Sequence, residues 1–113
     1  MKQTDRRILS NILEKIDRLI EICNLNTLND IESKYLLSDS LQFEYEKIYN
    51  DFTKLSPEFI IDNPSFPINQ LRAIRNRVAH DYEHVSIQIL YDTVINDIPS
   101  LKQTIQDILN KEN

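Results

Sequence analysis

The residues best suited to chemistry lie in one short stretch, residues 75–82, whose sequence is RNRVAHDY. Histidine has an ordinary pKa of about 6.5, so His80 can transfer a proton at neutral pH. The guanidinium of Arg75 can hold a phosphate and stabilise the added negative charge of a pentacoordinate phosphorus. Asn76 can orient the imidazole or the phosphate by hydrogen bonding. Together these groups can cleave RNA without a metal ion, with the ribose 2′-hydroxyl as the internal nucleophile.

These residues lie on a predicted helix, residues 67–82, whose geometry limits how they can act together. At about 100° per residue, one face of this helix is apolar, formed by Leu71, Ile74, Val78 and Tyr82. Arg75 and His80 point about 140° apart on a straight helix. Both can reach one phosphate only if the helix ends or distorts near His80, or if two copies of the chain meet across a two-fold axis. The alternative is that His80 is a surface or capping residue.

The charge of the chain is distributed unevenly. The net charge is -5, and residues 21–63 carry three basic and nine acidic side chains. Residues 63–80 contain no acid but include Arg72, Arg75 and Arg77. An acidic chain argues against broad, salt-driven binding of nucleic acid, but a local arginine cluster can still hold one phosphate. The alternative is that these arginines pair with the acidic second helix or are solvated.

Composition excludes several classes of protein. The sequence has no glycine, which rules out a Gly-rich phosphate loop, a dinucleotide fingerprint and an EF-hand loop, and argues against an all-β fold. Cys23 is the single cysteine and there are two histidines, so we expect neither a disulfide framework nor a structural metal, and Cys23 should be buried. No apolar run is long enough to span a membrane, and the first residues lack the apolar stretch of a signal peptide. We therefore expect a soluble cytoplasmic protein.

Apolar residues recur at steps of three and four, which predicts helices. The first helix is predicted over residues 5–23 and a longer second one over residues 28–54, with an interruption at residues 38–40 that can bend it. A short turn between two long helices indicates an antiparallel pair. The predicted apolar stripe of the second helix comprises Ile31, Tyr35, Leu37, Leu41, Tyr45, Ile48, Phe52 and Leu55.

Capping residues mark the predicted helix ends. Thr27, with Asp30 three residues later, resembles an N-cap. Ser56 before Pro57 indicates the start of a short third helix. Two prolines three residues apart make residues 63–67 a loop.

The C-terminal part of the chain also has a helical pattern. Ser86 is predicted to cap a fifth helix, Pro99 to break it, and residues 100–109 to form a last amphipathic segment. We therefore expect a single domain over residues 1–113, an all-α bundle of about five helices with an antiparallel long-helix pair and the motif helix.

Three segments of the chain resemble a known family. They are LSPEF at residues 55–59, RNRVAHDY at residues 75–82 and NDIPSL at residues 96–101. On these segments, residues 55–109 resemble the HepT toxins, a branch of the HEPN (higher eukaryotes and prokaryotes nucleotide-binding) superfamily. The HEPN nuclease pattern is an arginine, a polar residue directly after it, and a histidine a few residues later; HepT toxins add a tyrosine two residues after the histidine.

The resemblance assigns roles to residues of this chain. The pattern maps to Arg75, Asn76, His80 and Tyr82. It implies a five-helix HEPN domain that forms a homodimer, with both copies of the motif lining one cleft. It also implies a metal-independent endoribonuclease toxin without a cofactor, in which Arg75 and His80 are catalytic and RNA is the substrate.

The resemblance further implies a partner and a modification. The partner is a minimal nucleotidyltransferase (MNT-type) antitoxin, which adds AMP to the motif tyrosine, here Tyr82, and so silences the nuclease. Asn76, Arg72 and Arg77 are expected to contact the RNA phosphate or to support the site.

Two other functions stay open at this point. One is a non-catalytic HEPN module that binds a nucleotide or presents Tyr82 to its partner enzyme. The other is a plain helical dimerisation or scaffold protein.

Overall fold

The computed structural model describes the backbone of residues 1–80 and 84–111, and the side chains in those ranges except those of residues 77–80 and 84–86. Over these residues the chain is all-α, as predicted. Seven helices follow one another in the described part: α1 (Gln3–Leu25), α2 (Leu28–Ser33), α3 (Tyr35–Phe52), α4 (Pro57–Asp62), α5 (Ile68–His80), α6 (His84–Asn96) and α7 (Ile98–Lys111). Seven exceeds the predicted five because the predicted second helix is divided into α2 and α3, and because the last amphipathic segment is a full helix, α7.

The long helices α1 and α3 form the predicted antiparallel pair. Asp5, near the start of α1, accepts hydrogen bonds from Ser56, which lies just beyond the end of α3. Lys15 forms a salt bridge with Asp51 near the end of α3. The apolar faces of the two helices meet in the core, where the buried residues are Leu9, Ile12, Ile16, Leu19 and Cys23 of α1 and Leu41, Tyr45, Ile48 and Phe52 of α3.

Cys23 is buried at the end of the α1 face, as the sequence predicted. Burial raises the pKa of its thiol to about 11, because a thiolate loses its hydration there. The side chain therefore behaves as a small apolar residue of the core.

The break in the predicted second helix lies at Lys34. The predicted interruption at residues 38–40 is wrong, because α3 is continuous through those residues. Lys34 has extended backbone angles, φ −113° and ψ 101°.

Tyr35, predicted in the apolar stripe, is 72% exposed. The buried residues of α3 define a face whose centre lies about 110° around the helix axis from Tyr35, so this side chain points into solvent. Ile31 is the buried residue of α2. The break at Lys34 allows α2 to take an orientation different from that of α3, so Ile31 can face the core.

Two predicted helix starts are confirmed. The Thr27 side chain accepts a hydrogen bond from the backbone N–H of Asp30 at 3.1 Å and caps α2. The Ser56 hydroxyl accepts a hydrogen bond from the backbone N–H of Phe59 at 3.1 Å and caps α4, with Pro57 in the first turn. Both caps satisfy N–H groups that have no partner inside the helix.

One prediction for the C-terminal part is wrong. Ser86 does not cap α6, because it lies inside this helix, which is described from His84 onward. Serine inside a helix costs only about 0.5 kcal/mol, so the helix can include it. The predicted break near Pro99 is confirmed, since α6 ends at Asn96 and Pro99 lies in the first turn of α7. Proline lacks the N–H that would continue α6, whereas a first-turn N–H has no helical partner, so proline fits the start of α7. The predicted end of the motif helix at Tyr82 lies outside the described residues.

Three further findings concern the described residues together. None of them has a positive φ. No helix among them is long and apolar enough to cross a membrane. They contain no group of three or more His, Cys, Asp or Glu side chains that could hold a metal ion.

Candidate active site on helix α5

Helix α5 carries the motif and is anchored at its start by apolar contacts. Phe66 stands just before it and packs edge-to-face on Phe52 and Phe59, with ring centroids 5.6 and 5.3 Å away. Leu71 is buried and Ile74 is partly buried against the core, which confirms this part of the predicted apolar face. The apolar side of α5 therefore faces the bundle, and Arg72 and Arg75 lie at or beyond the edge of that side.

A buried hydrogen bond from α3 fixes α5 in position. The hydroxyl of Tyr45 donates to the backbone carbonyl of Leu71 at 3.2 Å. Burial raises the pKa of Tyr45, with smaller contributions from the nearby Glu46 carboxylate and Tyr49, so the hydroxyl keeps its proton and stays a donor. In a helix the carbonyl of residue 71 is also the acceptor for the N–H of Arg75, so the bond acts one turn before the motif arginine.

The side chain of Arg75 is held by residues of α3. Its Nε lies 3.6 Å from Oε1 of Glu46 and has no hydrogen-bond partner among the residues that the structure describes. Its guanidinium carbon lies 5.5 Å from the centroid of the Tyr49 ring. Its Nη1 donates to Oδ1 of Asn76 at 3.3 Å, and the side chain is 39% exposed. Arg75 therefore pairs with the acidic second helix, as the alternative interpretation of the sequence expected, and still reaches solvent.

A hydrogen bond joins Arg75 to Asn76, whereas the hydrogen bond of Arg72 goes to a different residue. Asn76 and Arg72 are exposed. Arg72 donates to Oδ1 of Asn69 at 3.4 Å, one turn earlier on α5. The side chains of three other predicted site residues lie outside the described ones, namely Arg77, His80 and Tyr82.

Two neighbours of Arg75 were not predicted as site residues. Glu46 was counted only among the acids of residues 21–63, and Tyr49 was not among the candidate site residues. Glu46 follows the core residue Tyr45, which places it at the edge of the α3 face toward a neighbouring helix. The charge pattern gave only the general expectation that the arginines of the motif helix pair with the acidic second helix.

A strip of exposed side chains runs along α3 and ends at Glu46, beside Arg75. Leu36 is 67% and Phe43 is 62% exposed. They line a shallow groove together with Asp39 and Glu46; we refer to these four residues as the α3 strip. Because Glu46 also contacts Arg75, the strip is continuous with the surroundings of the motif arginine.

Most of the chain, including all of α5, is similar to known proteins. A family model described as ribonuclease HepT-like matches residues 12–108, which include all of α5. A protein from Thermococcus cleftensis named "Probable ribonuclease HepT" is 31% identical over 109 residues, covering 90% of this chain and 93% of its own. A protein from Caldanaerobacter subterraneus subsp. tengcongensis, named as a candidate RNase, is 26% identical over 110 residues, 97% of this chain and 98% of its own.

A third relative gives the same result. A protein from Methanocaldococcus jannaschii, also named as a candidate RNase, is 28% identical over 112 residues, covering 96% of this chain and 89% of its own. No solved structure gives a significant match.

Proposed function

The chain belongs to the ribonuclease HepT-like family, and on that premise we propose that it is a metal-independent endoribonuclease that serves as the toxin of a toxin–antitoxin pair. The observation that carries the proposal is the state of Arg75 within the matched region. One edge of its guanidinium is held against α3, and the side chain is partly open to solvent. A fixed, accessible guanidinium suits recognition of a single phosphate.

The proposed reaction needs only groups of the motif and of the RNA. The ribose 2′-hydroxyl attacks the adjacent phosphorus and loses its proton, and the 5′-oxygen of the next nucleotide leaves and gains one. The products are a 2′,3′-cyclic phosphate and a 5′-hydroxyl. His80 moves a proton in this reaction, and Arg75 stabilises the charge that builds up on the phosphate oxygens.

The proposed active form is a homodimer with both motifs in one cleft. Arg75 and His80 lie about 140° apart on a straight helix, so a second copy provides a way to complete the site. The exposed side chains of Leu36 and Phe43 support this, because large apolar side chains left open to solvent on one helix face can mark an interface. Sedimentation velocity at micromolar concentration is expected to give a dimer, and Phe43→Ser is expected to weaken it. A wild-type monomer would contradict the proposed cleft.

RNA cleavage in EDTA is the central test. The wild type is expected to cleave single-stranded RNA with EDTA present, and His80→Ala and Arg75→Ala are each expected to lower the rate at least about 100-fold. Matched controls are His84→Ala, the other histidine, and Arg18→Ala, an exposed arginine of α1. Full activity in either motif variant would reject the assignment. A wild type that binds nucleotide without cleaving RNA would support the non-catalytic module instead.

The proposed control of the toxin is transfer of AMP to Tyr82 by an MNT-type nucleotidyltransferase. The phenolic oxygen takes the adenylyl group of ATP and pyrophosphate leaves. The added phosphate would compete with RNA for Arg75 and repel the RNA backbone. Intact mass after co-expression with such an enzyme is expected to show added AMP, and Tyr82→Phe is expected to abolish the increase. If the mass of Tyr82→Phe increased as much as that of the wild type, the AMP would be attached to another residue.

A further inference from the structure

The contacts of Arg75 divide its guanidinium into a held edge and an open edge. The Nε side faces Glu46 and is buried, although the 3.6 Å separation is longer than a hydrogen bond. One N–H of Nη1 is used by Asn76. The remaining N–H groups, the second on Nη1 and both on Nη2, form the edge that can grip two oxygens of one phosphate.

Tyr49 restricts a different motion of the same group. Its ring lies against the guanidinium, with 5.5 Å between the Arg75 carbon and the ring centroid. A cation is attracted to the face of an aromatic ring. Glu46 therefore limits where the Nε edge points, and Tyr49 limits how far the plane can turn away.

We propose that Glu46 and Tyr49 are positioning residues for the RNase reaction: from α3 they hold the inner edge of the Arg75 guanidinium, so that its outer edge is presented to the scissile phosphate. The substrate in this inference rests on the proposed function, but the clamp itself does not. A residue with this role acts through Arg75 and does not touch the RNA.

The charge of Glu46 allows its positioning role to be distinguished from a general electrostatic effect on RNA binding. Its carboxylate repels the RNA phosphates while it orders Arg75, so its removal strengthens RNA binding and weakens catalysis. Glu14 supplies the charge control, because it is an exposed acid of α1 that lies outside the α3 strip. Loss of Glu14 changes the net charge equally and leaves Arg75 in place.

Steady-state cleavage of a short RNA tests this prediction. Glu46→Ala is expected to lower kcat about tenfold, as for a misplaced reacting group, with an unchanged or lower KM. Glu46→Gln, which keeps the size and polarity of the side chain but loses its charge, is expected to fall between Glu46→Ala and the wild type. Glu14→Ala, which removes the same charge away from α3, is expected to leave kcat unchanged. Equal kcat in Glu46→Ala and Glu14→Ala would overturn the proposal.

Two variants test the contact between the Tyr49 ring and Arg75. Tyr49→Phe keeps the ring face and is expected to retain kcat, whereas Tyr49→Leu is expected to lower it several-fold. Equal activity in these two variants would remove Tyr49 from the clamp.

An NMR measurement separates the clamp from the proposed function. The Nε–H signal of Arg75, assigned by its loss in Arg75→Lys, is expected to show a rigid side chain in the wild type and a flexible one in Glu46→Ala. A flexible Arg75 in the wild type would overturn the clamp whatever the activity. A rigid Arg75 in a protein that cleaves no RNA would leave the clamp intact and reject the proposed function.

Discussion

Helices α1 and α5 are held in the bundle in different ways. α1 places an apolar side chain in the core at every turn, from Leu9 to Cys23. Over residues 68–76, where its side chains are described, α5 buries one residue, Leu71. Ile68 and Ile74 are partly buried against the core, and α5 also packs on α6. Individual contacts come from α3, namely those of Tyr45 with the Leu71 carbonyl and of Glu46 and Tyr49 with Arg75. α1 therefore has the more continuous core face, whereas the described part of α5 adds polar contacts to a smaller apolar one.

The largest expected effect on stability is in the middle of α1. Ile16 is completely buried, so Ile16→Ala is expected to lower the free energy of unfolding by about 3 kcal/mol. Ile74 of α5 is only partly buried, so Ile74→Ala should cost about 1 kcal/mol. Urea denaturation measures both, and equal losses would contradict the contrast between the two helices.

The next effect concerns the polar anchor of α1. Asp5 is buried, and its carboxylate accepts hydrogen bonds from the backbone N–H and the hydroxyl of Ser56 at 2.9 and 2.5 Å. Asp5→Ala leaves these donors without their acceptor and is expected to cost about 2 kcal/mol. Asp17→Ala is the control, since Asp17 is exposed and pairs with Lys102 at 2.7 Å; it should cost less than about 0.5 kcal/mol. If the two variants were equally stable, Asp5 would not be an anchor.

A smaller effect is expected where α3 holds α5. Tyr45→Phe removes the hydroxyl that donates to Leu71 and should cost about 1 kcal/mol. The loss is expected to be local, so hydrogen exchange should accelerate in α5 more than in α1. Uniform acceleration in both helices would show that this bond stabilises the whole bundle and does not serve α5 in particular.

The smallest effect is a pH dependence at the start of α4. The N–H of its own backbone, and then Lys2, lower the pKa of the exposed Glu58 carboxylate. A lowered pKa adds stability above the ordinary value near 4.5, and this contribution is lost as the pH falls through the lowered value. The difference in urea midpoint between the wild type and Glu58→Gln should therefore be larger at pH 6 than at pH 3. A difference independent of pH would contradict this role.

Features fixed by neighbouring residues were predictable from the sequence. The length of α1, its buried face and the caps at Thr27 and Ser56 all follow from spacings of three or four residues. The apolar side of α5 at Leu71 and Ile74 follows from the same rule. These elements depend on local chemistry that a single helix or turn already contains.

Features that depend on packing between distant segments were not predictable. The break at Lys34 has no proline or glycine to mark it, and it arises because α2 and α3 bury different faces. The contact between Arg75 and Glu46 joins residues 29 positions apart (75 minus 46), and the charge pattern gave only the general expectation of pairing. The roles of His80 and Tyr82 stay predictions.

The backbone of the described residues lies entirely at negative φ, including the positions that end helices at Asn26, Lys34 and Asn63. None of these three positions requires the left-handed backbone conformation that favours glycine, so many residue types can occupy them without strain. A glycine-free chain also has fewer conformations to lose when it folds. The connections between helices can therefore change in sequence over evolution while the path of the chain is preserved.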